Sequence, residues 1–192
     1  MDKIVHYKID SKRSLFTVHA FADGLASTLG HSPTIAIRDY SGEVRFNAIT
    51  SSEAVLQVNV KSGSLSVMDE MRDDDRRELE RIMQQEVLQI SRYPDVRFAS
   101  SSIGINKVTE ELLRVDVHGT LTIRGCTASH SFGAQVALGV DSLRAHGEFR
   151  IRQSDYGIPL VSIASGMIKV QDELKFGFYI VARKQQVLAK GA

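Results

Sequence analysis

Seven stretches of this chain alternate apolar and polar residues with a period of two, and one stretch carries a helical period. Successive side chains of a strand point to opposite faces, so each alternating stretch predicts one buried and one wet face. Leu56, Val58 and Val60 interleave with Gln57, Asn59 and Lys61, and Leu113, Val115 and Val117 with Arg114, Asp116 and His118. Phe132, Ala134, Val136 and Leu138 share a face, as do Leu143, Ala145, Phe149 and Ile151. Leu174, Phe176, Phe178 and Ile180 oppose Lys175, Tyr179 and Arg183; Phe16 and Val18 oppose Thr17 and His19; Val44 and Phe46 oppose Glu43 and Arg45. This pattern belongs to antiparallel sheets. So many strands with one apolar face predict an all-β fold, closed as a barrel or stacked as a sandwich.

The helical exception runs from Asp73 to Ser91, with Leu79, Ile82, Met83, Val87 and Ile90 along one stripe. Asp73–Asp75 supply N-cap candidates and negative charge at the positive end of the helix dipole, and Asp75 with Glu78 resembles a capping box. Pro94 stops the helix. The stripe needs a partner, either at an open barrel mouth or on the outside of a sandwich. Turn chemistry separates the strands at Ser11–Ser14, Ser41–Gly42, Ser51–Glu53, Asn106–Glu111, Gly139–Ser142 and Gln171–Glu173.

At 192 residues the chain is long enough for one domain and short for two. A formal net charge of +1 and the absence of Trp argue against a nucleic-acid partner. The lone Cys126 excludes an internal disulfide and a thiol zinc site. Asp2, Lys3 and Lys8 interrupt the N-terminus, so it does not read as a signal peptide and the expected location is cytoplasmic. No apolar run is long enough for a membrane span.

Several local patterns occur in a characteristic order. Tyr7-Lys8-Ile9-Asp10 precedes Ser14-Leu15-Phe16-Thr17-Val18, and Gly30-His31 leads to Gly42-Glu43-Val44-Arg45-Phe46. Arg72-Asp73 opens the helix and Arg92-Tyr93-Pro94-Asp95-Val96-Arg97-Phe98 closes it. Gly119-Thr120-Leu121-Thr122-Ile123-Arg124-Gly125, Tyr156-Gly157 and Ala182-Arg183 follow. The ordered set resembles the YceI-like family over nearly the whole chain. The resemblance implies one domain over residues 1–192, an extended lipocalin-like antiparallel barrel of about eight strands with one amphipathic helix. It also implies an apolar lumen and a lipid guest such as a polyisoprenoid or an isoprenoid quinone. Many members carry a secretion signal, which the charged stretch Met1–Asp10 is not expected to provide.

In such a barrel the apolar strand faces become the lumen wall. The expected lining is Phe16, Val18, Val44, Phe46, Leu56, Val58, Phe98, Val115, Val117, Phe132, Val136, Phe149, Phe176, Phe178 and Ile180. The expected mouth and helix cap are His31, Met71, Arg72, Leu79, Ile82 and Met83. For Arg72 a structural role, pairing with a nearby carboxylate, outweighs contact with a guest head group. On pattern alone, a barrel filled by its own side chains outweighs an open one; the resemblance points the other way.

Little in the sequence suggests chemistry. Among the six histidines, His19 and His118 fall on polar strand faces, and His31, His130 and His146 in or near turns. None shows metal-ligand spacing. Ser129 and His130 point to opposite faces and cannot form a nucleophile–base pair. The reading is non-catalytic storage or transport of a long apolar or amphiphilic molecule, with no cofactor and no metal, and with a homodimer left open. The rivals are an enzyme of isoprenoid or quinone metabolism using His31, and a filled barrel that binds a protein.

Overall fold

The alternation becomes backbone pairing in the computed structural model, which describes residues 4–23, 32–47, 53–160, 162–163 and 168–185. In chain order the elements are β1 (Ile4–Ile9), β2 (Leu15–Asp23), β3 (Thr34–Ile37), β4 (Tyr40–Asn47), β5 (Val55–Lys61), β6 (Leu65–Val67) and α1 (Asp73–Ile82). Then come β7 (Asp95–Lys107), β8 (Leu112–Ile123), β9 (Cys126–Leu138), β10 (Ser142–Arg152), β11 (Ser162–Ile163) and β12 (Ile168–Lys184).

β1, β4, β5, β7, β8, β9, β10 and β12 form a closed antiparallel barrel of eight strands, shut where Tyr7 meets Lys184 and Ile9 meets Ala182. β2, β3 and β6 continue the wall at one end, with β2 paired along β12 from Asp23↔Lys169 to Leu15↔Tyr179. β12 therefore serves two strands in turn. The step between them is held by Ser14, whose hydroxyl donates to the Asp10 carbonyl (2.7 Å) and accepts from the Val181 N–H (2.9 Å).

β8 shows how the sequence sets the faces: Leu113, Val115, Val117, Leu121 and Ile123 are buried, while Arg114, Asp116, His118 and Thr120 are exposed. The β8–β9 turn has two residues at positive φ, Arg124 (51°) and Gly125 (74°), as a two-residue hairpin matched to strand twist requires.

Two expected turns are strand interior instead. Ser41–Gly42 lies within β4, and Gln171–Glu173 forms an irregularity in β12, where the register with β2 shifts between Val170 and Leu174. The β9 and β10 residues His130 and His146 likewise lie within strands and not in turns.

α1 is shorter than its periodicity predicts. The α-helical turns end at Ile82, a π-helical turn covers Met83–Val87, and Ile90 lies beyond. Asp73, Asp74 and Asp75 occupy the first turn, where they complement the dipole. They are not the cap: Arg72 stands at the N-cap position and no side chain caps the helix. Asp75 and Glu78 bond Arg72 and Arg81, so no capping box forms. The helix is tied to β6 instead. The Val67 N–H donates to Glu80 Oε1 (2.9 Å), and the Arg76 guanidinium donates to the Val67 and Asp69 carbonyls. This places the apolar stripe over one mouth of the barrel, with Met83 and Leu88 packed beside Leu121, Ile123 and Ile151.

Candidate functional site: the barrel lumen

The barrel encloses a cavity of about 1100 Å³ that runs from the helix to the far end, where Leu113, Val136, Leu143 and Ala182 close it. Its wall contains all the residues expected there: Phe16, Val18, Val44, Phe46, Leu56, Val58, Phe98, Val115, Val117, Phe132, Val136, Phe149, Phe176, Phe178 and Ile180. Met71, Leu79, Ile82 and Met83 line the mouth as expected. Arg72 does not; its side chain is 83% exposed and bonds the Asp75 carboxylate through Nε (2.8 Å) and Nη2 (3.0 Å). His31 lies outside the described residues.

The aromatic rings form one connected group across the middle of the lumen. Phe149 stacks on Phe176 at 4.8 Å with the planes 4° apart, and Phe132 lies 5.3 Å from Phe149. Phe178 meets Phe16 and Phe132 edge-on at 6.3 and 5.8 Å. Offset and edge contacts of this kind hold rings in place. Phe16, Phe98, Phe132, Phe149, Phe176 and Phe178 are nevertheless only half-buried. They sit inside the fold and still face open space, which is how an unfilled lumen differs from a packed core.

Polar groups are few along this wall. Four carboxylates, of Asp69, Glu70, Asp75 and Glu78, rim the mouth, and no lysine or arginine lines the cavity among the described residues. Two carboxylates are spoken for: Asp75 bonds Arg72 and Glu78 bonds Arg81, which holds each below its ordinary value. Asp69 accepts from the Thr34 N–H (2.6 Å). Deeper in, Tyr40 packs edge-on against Phe16, and burial pushes its hydroxyl above the ordinary tyrosine range. Gln153 is buried and donates to the Gln171 carbonyl (2.8 Å).

His130 is the functional candidate that sequence reading placed wrongly. It projects from β9 into the lumen on the face of Phe132 and Ala134, with its ring 4.9 Å from Phe149 and 6.2 Å from Phe132. The polar cluster Ser129-His130-Ser131 suggests a turn, yet His130 is in phase with Phe132, and that phase was the signal for an inward position. Burial lowers its pKa, so the imidazole is neutral at pH 7. Among the described residues no group of three or more His, Cys, Asp or Glu is placed to hold a metal ion. No helix is long and apolar enough to cross a membrane among them.

A family model described as a YceI-like domain matches residues 7–182. The chain belongs to the YceI-like family. Curated relatives include a UPF0312 protein of Pseudomonas fluorescens, 32% identical over 111 residues, covering 57% of this chain and 53% of that protein. A UPF0312 protein of Pseudomonas putida is 30% identical over 129 residues, covering 67% and 60%. The chain thus spans 53–60% of the length of these relatives. Among solved structures, Burkholderia cenocepacia BcnA superposes with a TM-score of 0.69 at 17% identity, over 90% of this chain and 98% of that one. A polyisoprenoid binding domain from Saccharophagus degradans gives 0.67 at 12% identity, over 93% and 98%. At those identities the structures show a shared YceI-like barrel and no more.

Proposed function

We propose that this YceI-like protein binds, without chemistry, a long apolar or amphiphilic molecule such as a polyisoprenoid or an isoprenoid quinone in its lumen. The observation that carries this reading is the aromatic-lined cavity of about 1100 Å³ whose phenylalanine rings are only partly buried inside the fold. Its volume lies just above the roughly 300–1,000 Å³ usual for small-molecule sites. The wall of β8, twelve residues long, is roughly 30 Å tall at about 3.3 Å per residue and a tilt of about 40°. A long, narrow, apolar space suits a chain better than a compact ring system. A guest of roughly twenty carbons gains about 16 kcal/mol at about 0.8 kcal/mol per CH₂. That exceeds the roughly 4–15 kcal/mol lost in association, so the chain alone can hold the guest. The solved polyisoprenoid binding domain that shares the fold supports the same class of ligand. Organic extracts of the purified protein, read by mass spectrometry, test the reading directly. A co-purifying isoprenoid, or stoichiometric uptake of one by stripped protein, is the expected result. An apo mass in native spectra, with no uptake of added isoprenoid quinone or polyprenol, overturns it.

A further inference from the structure

The barrel wall is not uniformly closed. β9 pairs with β8 along its whole length, down to Cys126↔Ile123, and β10 pairs with β12 down to Arg152↔Glu173. β9 and β10, by contrast, pair only between Leu138↔Leu143 and Gln135↔His146. Just past this register the strands make a last close approach at two glycines: a Cβ on Gly147 would lie 2.7 Å from the Gly133 carbonyl oxygen. Beyond that point they part. The single turn Ser154–Tyr156 spans the gap at its end, where the Arg124 guanidinium donates to the Gly157 carbonyl (2.8 Å). The gap is a polar slot of about 310 Å³ between Ser129, Arg150, Arg152, Asp155 and Glu173.

His130 lines both the slot and the lumen, and so stands in the partition between them. It also lies between the cluster at the helix end, which includes Ala128, and the cluster at the far end, which includes Ala134. Its Nε2 is closed off from water and has no hydrogen-bond partner. A buried polar atom left unpaired is costly and asks for a reason. The ring's outer torsion is soft, so a modest turn carries Nε2 toward either space.

We propose that His130 reads the head of the guest: Nε2 exchanges a hydrogen bond with an uncharged oxygen, a hydroxyl or a carbonyl, lodged in the lumen against the partition that separates it from the β9–β10 slot. This rests on the lumen holding an apolar chain. A neutral imidazole suits either oxygen, donating from one ring nitrogen and accepting at the other. A phosphate head does not fit. In the slot Arg150 bonds Glu173, and Arg152 sits near the Asp172 carboxylate, with Asp155 adding a further negative charge. At the other opening the rim carries the four carboxylates described above. Among the described residues no lysine or arginine lines the lumen, and the slot's two arginines sit beside the carboxylates of Glu173 and Asp172, a poor match to phosphate recognition.

The test compares three probes that share one chain: geranylgeraniol, its parent hydrocarbon and its diphosphate, titrated into stripped wild type and His130→Phe. The variant should bind the alcohol about tenfold more weakly and the hydrocarbon equally well, as expected for one lost buried hydrogen bond. Wild type should take up the diphosphate more weakly than the alcohol. In wild-type protein labelled with nitrogen-15, the His130 ring signals should shift with the alcohol and not with the hydrocarbon, a readout that needs no variant. An unchanged alcohol affinity in His130→Phe, ring signals that respond alike to both guests, or tighter binding of the diphosphate each overturns the proposal. If neither the alcohol nor the hydrocarbon enters wild type, the lumen reading itself fails and this one with it.

Discussion

Phe178→Ala separates an open lumen from a filled one. A fully packed phenylalanine loses about 3–5 kcal/mol on truncation to alanine. Phe178 meets Phe16, Phe132 and Phe149 on one side, but its ring is only half-buried and the rest faces the cavity. Part of the ring already lacks a protein partner, so the stripped variant should fall about 2 kcal/mol below stripped wild type, short of the loss for a fully packed ring. Leu113, in the same wall but only 4% exposed, provides the control. Leu113→Ala should cost about 3 kcal/mol whether or not a guest is present.

The guest adds a second quantity. At a free concentration near 100 times its Kd, a ligand stabilises the wild type by about 2.7 kcal/mol. If losing the Phe178 ring weakens binding about tenfold, the same concentration adds only about 1.4 kcal/mol to the variant. The gap between the two proteins should thus widen from about 2 to about 3.3 kcal/mol on loading. Urea titrations of stripped and loaded protein, analysed at constant slope, measure both gaps. A gap near 4 kcal/mol in stripped protein that does not change with added polyprenol would mean that the barrel is simply full.

Arg76→Ala removes the guanidinium bonds to the Val67 and Asp69 carbonyls, so hydrogen exchange across α1 should quicken by about tenfold or more while β8 stays protected. The Asp172 carboxylate accepts from the Ser154 hydroxyl (2.7 Å) and N–H (2.8 Å), which hold it below the ordinary aspartate value of 3.8. Its stabilising contribution is therefore complete above that value and is lost as pH falls through the lower folded value; Asp172→Asn should flatten the acid limb of the stability curve. His130 has the same sense in a higher pH window. Burial lowers its pKa below the ordinary 6.5, so the unfolded chain takes up the proton first and stability falls as pH drops from 6.5 toward the folded value. With Arg150, Arg152, Asp155, Tyr156 and Glu173 unchanged around it, His130→Phe should remove that slope, and equal pH profiles for the two proteins would contradict the assignment.

The wall was legible because alternation is a direct record of facing. Every residue from Leu113 to Ile180 placed inward by its phase lines the cavity. What alternation could not show is why a breaker residue is present. Gly42 reads as a turn, yet it lies inside β4 because a Cβ there would come within 2.7 Å of the Gln57 carbonyl oxygen and of the Ile9 side chain. Gln171–Glu173 reads as a turn because it is polar. The Asp172 side chain instead serves the neighbouring turn by holding Ser154. The helix stripe ran past its true end because a π-helical turn at Met83–Val87 breaks the 3.6-residue phase. Arg72 was legible in its role and not in its place: the expected pairing with a nearby carboxylate is the bond to Asp75, and that bond turns the side chain away from the mouth. The β9–β10 slot leaves almost no trace, since both strands alternate normally on either side of where they part.

The partly buried rings carry a consequence for folding as well as for binding. Lining atoms that face empty space forfeit dispersion partners on that side, and water inside an apolar wall finds few groups to bond. The barrel therefore folds without collecting the full stabilisation its aromatic content offers, and a guest chain supplies the missing contacts. Folding and loading are then linked equilibria, with the guest as the last piece of the core. Two features keep this core from closing on itself. The closed ring of strands fixes the diameter, so the wall cannot shrink around the void. The helix is held to β6 by Arg76 and Glu80 at the rim, so its stripe covers the mouth without dropping into the lumen. Loosening that tether should let the helix settle inward, so a variant lacking both side chains should take up the guest more weakly and gain less stability from it than the wild type does. Melting curves of Arg76→Ala/Glu80→Ala with and without polyprenol decide the point: a loaded-minus-empty shift as large as that of the wild type would show that the rim tether has no part in keeping the lumen open.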